Sequence, residues 1–514
     1  MKKHIFRNRK ARHASVAVIL TVLVITVTIL TNTVFGRLAK RYNWYTYMLA
    51  KPNYEVTEAC FDLLENAFDE LSSEGVDTKT EIIFCDSEEN IEKDTAFLYV
   101  YESAKAIADR FPEQVKVTCY DTESNPASVK RYATRTDPLT GEVTDVSIAK
   151  SSVIITSGED YHRVYSRDDF YLIKLGASSF WAYDGEKRLA SGIIRAIDPQ
   201  APVACLLNNH GELYSDYEMI YLLDDAGYTV RMLDLYREEI PADCELLISY
   251  NPTSDLVADS VSEISEIDLL ENFLSKDGND LLVFIGNTSP VLPNYEAFLE
   301  AWGVDFSYHS AEDRTYRYMV NDNANSLTTD GYTIYGEKAD GAGSALLEGL
   351  GRPTVFKNAT AIDNASTFVA NGDGSYTNGG RTMYELYTGM SSAVSWANGS
   401  PVESADKAIL MSLTAQRNAD GTESHVSVIS ATDFANEDLM QSVVYGNTDL
   451  LLHTFEIFGK TYTPEGLTAK PLSTDEISMI TMRQMLIWTV TLSAAPAVVA
   501  SLAAVFVLVK RRRA

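Results

Sequence analysis

A long uncharged run near the end of the chain limits where the rest of it can lie. Residues 485–509 contain no charged side chain, and four basic residues, 510–513, follow directly. A helix of this length is about 37 Å long, enough to cross a hydrocarbon core of about 30 Å. Basic residues are typical of the cytoplasmic flank of such a helix. We therefore predict a transmembrane helix over 485–509 and a cytoplasmic tail over 510–514. A buried soluble helix is the alternative.

A second uncharged segment lies near the start of the chain. Residues 14–35 are rich in Val, Ile, Leu and Thr, and they follow a basic leader over 1–13. The run is longer than the roughly 7–15 apolar residues of a signal peptide, which favours an uncleaved transmembrane helix over 14–36; a cleaved signal peptide is the alternative. With both basic flanks inside, the pattern predicts a two-pass cell-membrane protein with both termini cytoplasmic and a large extracytoplasmic domain.

The intervening region is strongly acidic. All 72 acidic residues lie between Glu55 and Glu476, and the formal net charge of the chain is −29. Such a surface repels nucleic acid, which we exclude as a partner. The cysteine count is odd, with no C-x-x-C spacing, which predicts buried thiols rather than a disulfide framework or a zinc site. A disulfide between Cys85 and Cys119 stays open as an alternative.

The acidic region has the pattern of an α/β fold in two domains. We place them at 55–198 and 202–465, because Pro199 and Pro202 separate two sets of alternating strand and helix patterns. The alternation predicts mostly parallel sheets covered by helices. Residues 286–398 lose it and are interpreted as an irregular insertion or a β-rich lobe. A capping box at Ser473 predicts a juxtamembrane helix over 473–484.

Most catalytic signatures are absent from the sequence. It contains no G-x-x-x-x-G-K-[ST] phosphate loop, no H-E-x-x-H and no G-x-S-x-G nucleophile elbow. The seven histidines are scattered, and we identify no metal-ligand spacing among them. We therefore predict no catalytic residue, no metal site and no cofactor.

One set of polar residues still predicts a ligand or partner site. Each member follows the end of a predicted strand, and ligands of open α/β sheets bind at the carboxyl ends of strands. The members are Asn208, His210, Glu212, Asn251, Asn287 and Asp433. His210 could act as an acid or base, oriented by Glu212 or Asp433. The alternative is structural: His210 and Gly211 form a tight turn, and Glu212 favours the start of a helix.

Short motifs along most of the chain resemble the GldG-like family, the auxiliary components of ABC-type uncharacterised transport systems that are named for gliding motility. The resemblance rests on these groups of residues: Asn209 to Glu212, Ala226 to Tyr228, Ile240 to Asp243, Asn251 and Pro252, Ser430 to Ala435, and Gly446 to Leu451. A proline within the last apolar segment, Pro496, and the arginine run behind it also match. Residues 286–398 show no such match.

The resemblance implies a role beside other proteins rather than a reaction. Members of this family are thought to act beside an ABC permease and a separate cytoplasmic ATPase, with a soluble part like the glutamine-amidotransferase α/β fold. This chain has no matching catalytic cysteine, so amidotransferase chemistry is not expected. We predict a membrane-anchored auxiliary subunit that is not an ATPase. The alternative is a membrane-tethered extracytoplasmic hydrolase or ligand-binding protein that uses His210 and Glu212.

The last apolar segment carries one further prediction. Pro496 removes a backbone hydrogen bond from a membrane helix and should kink it. Neighbouring helices usually satisfy the freed carbonyl. We therefore expect Ala494, Ala495, Pro496 and Ala497 to pack against the transmembrane helices of a partner within the bilayer.

Overall fold

The first lobe is built on a four-stranded mixed sheet, seen in a computed structural model. The model describes residues 55–472 except for 137–142, 159–160, 174–178, 199–200, 213–217, 259–264, 312–313, 398–399 and 403–406. The neighbouring strands of this sheet are, in order, β2 (Val115–Cys119), β1 (Thr80–Phe84), β5 (Ser152–Ser157) and β6 (Tyr161–Ser166). Strands β1 and β2 are parallel, and the other neighbouring pairs are antiparallel.

The elements of the first lobe follow one another in a β-α-β unit and then a hairpin and a helix. Its helices are α1 Glu58–Ser73, α2 Glu88–Ile91, α3 Thr95–Arg110 and α4 Gly185–Ile197, with 3₁₀ turns at Pro126–Tyr132 and Arg167–Phe170. Its strands are β1 Thr80–Phe84, β2 Val115–Cys119, β3 Thr134–Thr136, β4 Val143–Asp145, β5 Ser152–Ser157, β6 Tyr161–Ser166, β7 Tyr171–Ile173 and β8 Phe180–Tyr183.

The second lobe contains a 13-stranded sheet among the described residues. Its helices are α5 Glu218–Asp225, α6 Glu266–Leu274, α7 Pro293–Ala301, α8 Ala342–Ala345, α9 Glu437–Met440 and α10 Asn447–Phe458. The strands described between residues 203 and 472 are β9 Val203–Leu207, β10 Thr229–Leu233, β11 Cys244–Tyr250, β12 Asp280–Phe284, β13 Val304–Phe306, β14 Tyr308–Ala311, β15 Arg314–Arg317, β16 Met319–Asn321, β17 Thr333–Lys338, β18 Val355–Lys357, β19 Ile362–Asn364, β20 Val369–Ala370, β21 Ser375–Asn378, β22 Arg381–Gly389, β23 Val394–Ala397, β24 Ser400–Val402, β25 Ile409–Arg417, β26 Glu423–Ile429 and β27 Lys470–Pro471.

The large sheet has a parallel half and an antiparallel half. Strands β10, β9, β11, β12 and β26 are neighbours in that order, and each neighbouring pair is parallel. Strands β25, β22, β17 and β18 continue the sheet in antiparallel pairs. The prediction of mostly parallel sheets is therefore wrong for this lobe, and it is also wrong for the first-lobe sheet, where two of the three strand pairs are antiparallel. The antiparallel half includes strands from 286–398, the region interpreted from the sequence as an irregular insertion or a β-rich lobe.

Separate hydrophobic cores support the two lobes. The first-lobe core includes Leu64, Phe84 and Ile193, each with no exposed surface. Both faces of the large sheet are covered, one around Leu206 and Phe434 and the other around Trp302 and other large side chains. Burial of both faces explains why β9, β11 and β12 are nearly continuous apolar runs.

The lobes contact each other through charged side chains and through the last described segment. Helix α4 contacts α5, and Arg188 of α4 pairs with Asp225 of α5. Arg163 of β6 pairs with Asp224 of α5 at 2.6 Å. After α10, the chain returns to the first lobe. There Leu467 enters the first-lobe core, and β27 pairs with β8.

The predicted transmembrane arrangement requires a correction. Among the described residues, no helix combines the length and the apolar character needed to cross a membrane. The longest of them, α1 and α3, have 16 residues each and rise about 24 Å, short of a hydrocarbon core of about 30 Å. The prediction of an α/β fold between two transmembrane helices is therefore wrong as a description of this structure. The predicted two-pass membrane location depends on those helices and is corrected with it. The predicted segments 14–36 and 485–509, with Ala494, Ala495, Pro496 and Ala497, lie outside the described residues, as does the predicted helix over 473–484.

Candidate functional site

The polar residues predicted to form a site lie at one edge of the large sheet. Strands β9, β11, β12 and β26 are parallel neighbours, so their carboxyl ends meet at the same edge, here called the carboxyl edge. Asn208, His210 and Glu212 follow β9, Asn251 follows β11, Asn287 follows β12, and Asp433 follows β26. The structure groups five of these residues into three hydrogen-bond networks. Asn208 lies outside them: it is exposed, and its Oδ1 accepts a hydrogen bond from the backbone amide of Asn209 at 2.9 Å.

The loop after β9 is a tight turn that fixes His210. The His210 carbonyl accepts hydrogen bonds from the backbone amides of Thr253 at 2.7 Å and Ser254 at 2.9 Å. Gly211 has a φ of 80°, and a Cβ there would meet the Thr253 hydroxyl at 1.9 Å. Glycine is therefore required at this position, both for its left-handed backbone and for the close approach of Thr253.

The first network encloses the His210 ring between two glutamates. Nε2 lies 3.1 Å from the Glu266 carboxylate, and Nδ1 lies 3.6 Å from Oε1 of Glu212. Glu212 also accepts a hydrogen bond of 2.8 Å from the backbone amide of His210, and Glu266 accepts one from Val257. His210 is 6% exposed, and Glu266 is fully buried. Both ring nitrogens therefore face acceptors, which favours the doubly protonated imidazolium.

The electrostatics of this network keep His210 charged at neutral pH. Burial alone would lower the pKa of His210, but the proximity and negative charges of Glu212 and Glu266, with the hydrogen bond to Glu266, outweigh it and raise the pKa to about 9. A general acid or base works best with a pKa near the operating pH. His210 is also closed off from solvent. This geometry is that of a structural ion network.

The second network joins the loops after β11, β12 and β26. Asn251 donates from Nδ2 to the Thr432 carbonyl at 2.7 Å and accepts at Oδ1 from the Gly286 amide at 3.2 Å. The Thr432 hydroxyl donates to Oδ1 of Asn287 at 2.9 Å. Asn251 has a φ of 51°, a left-handed conformation that asparagine tolerates better than most residues. These amides hold three strand ends together, with Asn287 at the exposed surface.

Asp433 belongs to a third network, beside β18. Its carboxylate accepts a hydrogen bond from Nδ2 of Asn358 at 2.8 Å and lies 3.6 Å from Nζ of Lys357. Among the described residues, the ring of His210 therefore pairs with Glu212 and Glu266 and not with Asp433. Of the two carboxylates expected to orient His210, Glu212 lies beside the ring and Asp433 does not.

The cysteines take no part in the carboxyl edge. Cys85 and Cys119 end the neighbouring strands β1 and β2, yet both are free thiols. Burial raises the pKa of Cys85 to about 12, and it also raises the pKa of Cys119. Cys244, at the start of β11, has a raised pKa through its contact with Cys205 and through burial. At neutral pH these thiols are protonated and are poor nucleophiles.

Sequence reasoning missed Glu266 and Thr432. Helix α6 begins at Glu266, and Ser265 is its N-cap, accepting a hydrogen bond from the Asp268 amide at 3.1 Å. The spacing of Ser265 and Asp268 was the available signal for this helix start. Nothing in the sequence marked Thr432 apart from its place after β26.

The comparisons with known proteins give no family for this chain. No family model matches it, and no curated protein matches it. Similar solved structures include the N-terminal domain of mmIFT52, with 11% identity, a TM-score of 0.35, and coverage of 50% of this chain and 97% of that chain. The cytoplasmic protein STM3548 from Salmonella typhimurium has 10% identity and a TM-score of 0.29, with coverage of 50% and 98%. PurLQS from Thermotoga maritima has 10% identity and a TM-score of 0.25, with coverage of 50% and 99%. Likenesses this weak carry no argument about function. None of these matches names an ABC-transporter or GldG-like family, so the predicted GldG-like family has no support among them.

Proposed function

We propose that this chain is a non-enzymatic auxiliary subunit that binds partner proteins through the carboxyl edge of its large sheet. The observation that carries the proposal is the division of polar groups there. His210 and Glu266, which could transfer protons, are buried and paired with each other. Several of the exposed groups are neutral amides and hydroxyls, including Asn208, Asn287 and Thr288. Neutral hydrogen-bonding groups suit the polar part of an interface.

An exposed aromatic residue adds to this surface. Tyr236 follows β10 at the same edge and is 48% exposed, and Asn209 beside it bonds Asp234 at 3.3 Å. Tyrosine is enriched in protein interfaces because its ring adds apolar area and its hydroxyl adds a hydrogen bond. The proposed partners are those that the sequence resemblance implies, an ABC-type permease and its separate ATPase.

Site-specific photo-crosslinking in cells tests this proposal. A photoreactive residue replaces Asn208 in the tagged full-length chain, and a matched chain carries it at Val369, which is 68% exposed on β20 in the antiparallel half. We expect the Asn208 probe to capture a permease or an ATPase, identified by mass spectrometry, and the Val369 probe to capture neither. Capture of neither protein by the Asn208 probe, or equal capture by both probes, would contradict the proposal.

The alternative function is hydrolysis with His210 as acid or base and Glu212 as its partner. Its requirements conflict with the geometry, because His210 is 6% exposed and its pKa is raised to about 9. We therefore favour the binding subunit.

A further inference from the structure

His453 has one ring nitrogen fixed by the backbone. It lies within α10, and its Nε2 is 2.6 Å from the carbonyl oxygen of Leu346, in the turn after α8. A carbonyl only accepts hydrogen bonds, so Nε2 must carry the hydrogen. In the neutral ring this leaves the lone pair on Nδ1. A backbone carbonyl in this position is the usual outer partner of a histidine that binds a metal.

Two carboxylates converge on Nδ1 from the same side. The oxygens of Glu465 lie 2.9 and 3.0 Å from Nδ1, and Oε2 of Glu456 lies 3.7 Å from it. The donor atoms of the three side chains all lie within 4.8 Å of one another.

We propose that His453, Glu456 and Glu465 bind one divalent transition-metal ion, with Zn²⁺ the best match to the donors. One imidazole nitrogen and two carboxylates are a ligand set that Zn²⁺ accepts, and three protein ligands leave a fourth position for water. Tetrahedral geometry with ligand bonds of about 2.1 Å separates ligand atoms by about 3.4 Å. The distances from Nδ1 to the carboxylate oxygens, 2.9 to 3.7 Å, bracket that value.

The position of Glu465 gives the ion a structural role. Glu465 lies in the segment that leaves α10 and returns to the first lobe, two residues before Leu467, which is 5% exposed in the first-lobe core. Three residues further on, Lys470 pairs with Glu186 of α4 at 2.6 Å. An ion held by His453 and Glu465 joins α10 of the second lobe to this crossing segment. It is therefore expected to stabilise the contact between the lobes.

Zn²⁺ titration of the full-length chain, after removal of metal with a chelator, tests the site. Calorimetry gives the stoichiometry and affinity for the wild type and for His453→Gln, Glu465→Gln and Glu456→Gln. Glu456 has a side chain that is 57% exposed, so its variant keeps the test valid even if the more buried variants fold poorly. The matched control is His210→Gln, because His210 also has two glutamates but one lies at each ring nitrogen, where they cannot share an ion.

We expect the wild type and His210→Gln to bind one Zn²⁺ more tightly than each of the three site variants, by about tenfold or more. Zn²⁺ should also raise the melting temperature of the wild type and leave that of His453→Gln unchanged. Equal Zn²⁺ affinity in the wild type, His453→Gln and Glu456→Gln would overturn the proposal. Such a result would identify the cluster as an ion pair between imidazolium and carboxylates.

Discussion

His210 and His453 each contact two glutamates, but the directions of the donors differ. At His210, Glu212 faces Nδ1 and Glu266 faces Nε2, so both ring nitrogens point at carboxylates. At His453, the Leu346 carbonyl occupies Nε2, and both glutamates approach Nδ1. The first arrangement stabilises a charged ring in place, whereas the second leaves one lone pair and two carboxylates facing a common point.

The comparison teaches that composition alone does not decide the chemistry of such a cluster. His210 is at the carboxyl edge, where α/β proteins usually bind ligands, yet its ring is buried and ion-paired. His453 lies on a helix away from strand ends, with a partly exposed glutamate beside it. The cluster that is better arranged to hold an ion, at His453, thus lies outside the edge where the fold alone would place a ligand site.

The largest expected effect is at Glu266. Glu266→Gln removes the negative charge from a fully buried side chain and leaves the His210 imidazolium without its closer partner. Breaking a buried ion pair by removing one charge costs several kcal/mol, and we expect a loss of about 3 kcal/mol in the free energy of unfolding. Urea denaturation at pH 7 measures it. A loss below about 1 kcal/mol would show that His210 is neutral in the folded protein, contrary to the comparison.

The second effect is a pH dependence that originates at His210. Its pKa is raised to about 9 from an ordinary value of about 6.5, so the folded state binds the proton more tightly than the unfolded state. The added stability is complete below about pH 6.5 and is lost as the pH rises through about 9. With allowance for solvent screening, we expect the free energy of unfolding of the wild type to fall by about 2 kcal/mol more than that of His210→Gln as the pH rises between these two values. Parallel urea curves for the two chains at pH 6.5 and 9.5 check this, and equal losses would contradict it.

A smaller effect is expected at Glu456. Without metal, Glu456→Gln should change the free energy of unfolding by less than about 0.5 kcal/mol, because the side chain is 57% exposed. With Zn²⁺, the same variant should show a smaller rise in melting temperature than the wild type. Thermal unfolding with and without Zn²⁺ separates the two contributions. A large destabilisation in the absence of metal would mean that Glu456 supports the fold rather than a metal ion.

The smallest effect is expected on partner binding by His210→Gln. If His210 has a structural role, the variant should capture the same partners from the Asn208 probe as the wild type, provided that circular dichroism shows it to be folded. A hydrolase would instead lose its activity in cells while remaining folded. Loss of function in a folded His210→Gln chain, with partner capture unchanged, would return support to the catalytic alternative.

The regular elements were the most predictable part of the fold. The helical pattern over 95–110 and the apolar run over 203–207 match α3 and β9 residue for residue, because amphipathic helices and buried strands have distinct periods. The strands of the antiparallel half could not be placed from the sequence, since short segments rich in Gly, Asn and Thr are defined by pairing with segments distant along the chain, as β17 is with β22.

The candidate sites were predictable only in part. The alternation of strand and helix patterns made the carboxyl edge foreseeable, since parallel strands end at the same edge of a sheet. Which residues pair within it depended on Glu266, which is distant in sequence from His210. The cluster at His453 had one local signal, the i, i+3 spacing of His453 and Glu456 on a helix. Glu465 and the Leu346 carbonyl reach it from loops, so only the tertiary structure brings the ligand set together.

The central claim is that His210 is a fixed, protonated structural group. The rate of hydrogen–deuterium exchange at C2 of each imidazole, read by mass spectrometry as a function of pH, gives the pKa of His210 in the folded full-length chain. The account predicts a midpoint near the value of about 9 that the two glutamates impose, together with slow exchange at this buried ring. A midpoint at or below the ordinary value of about 6.5, with fast exchange, would contradict it and mark His210 as an accessible acid or base.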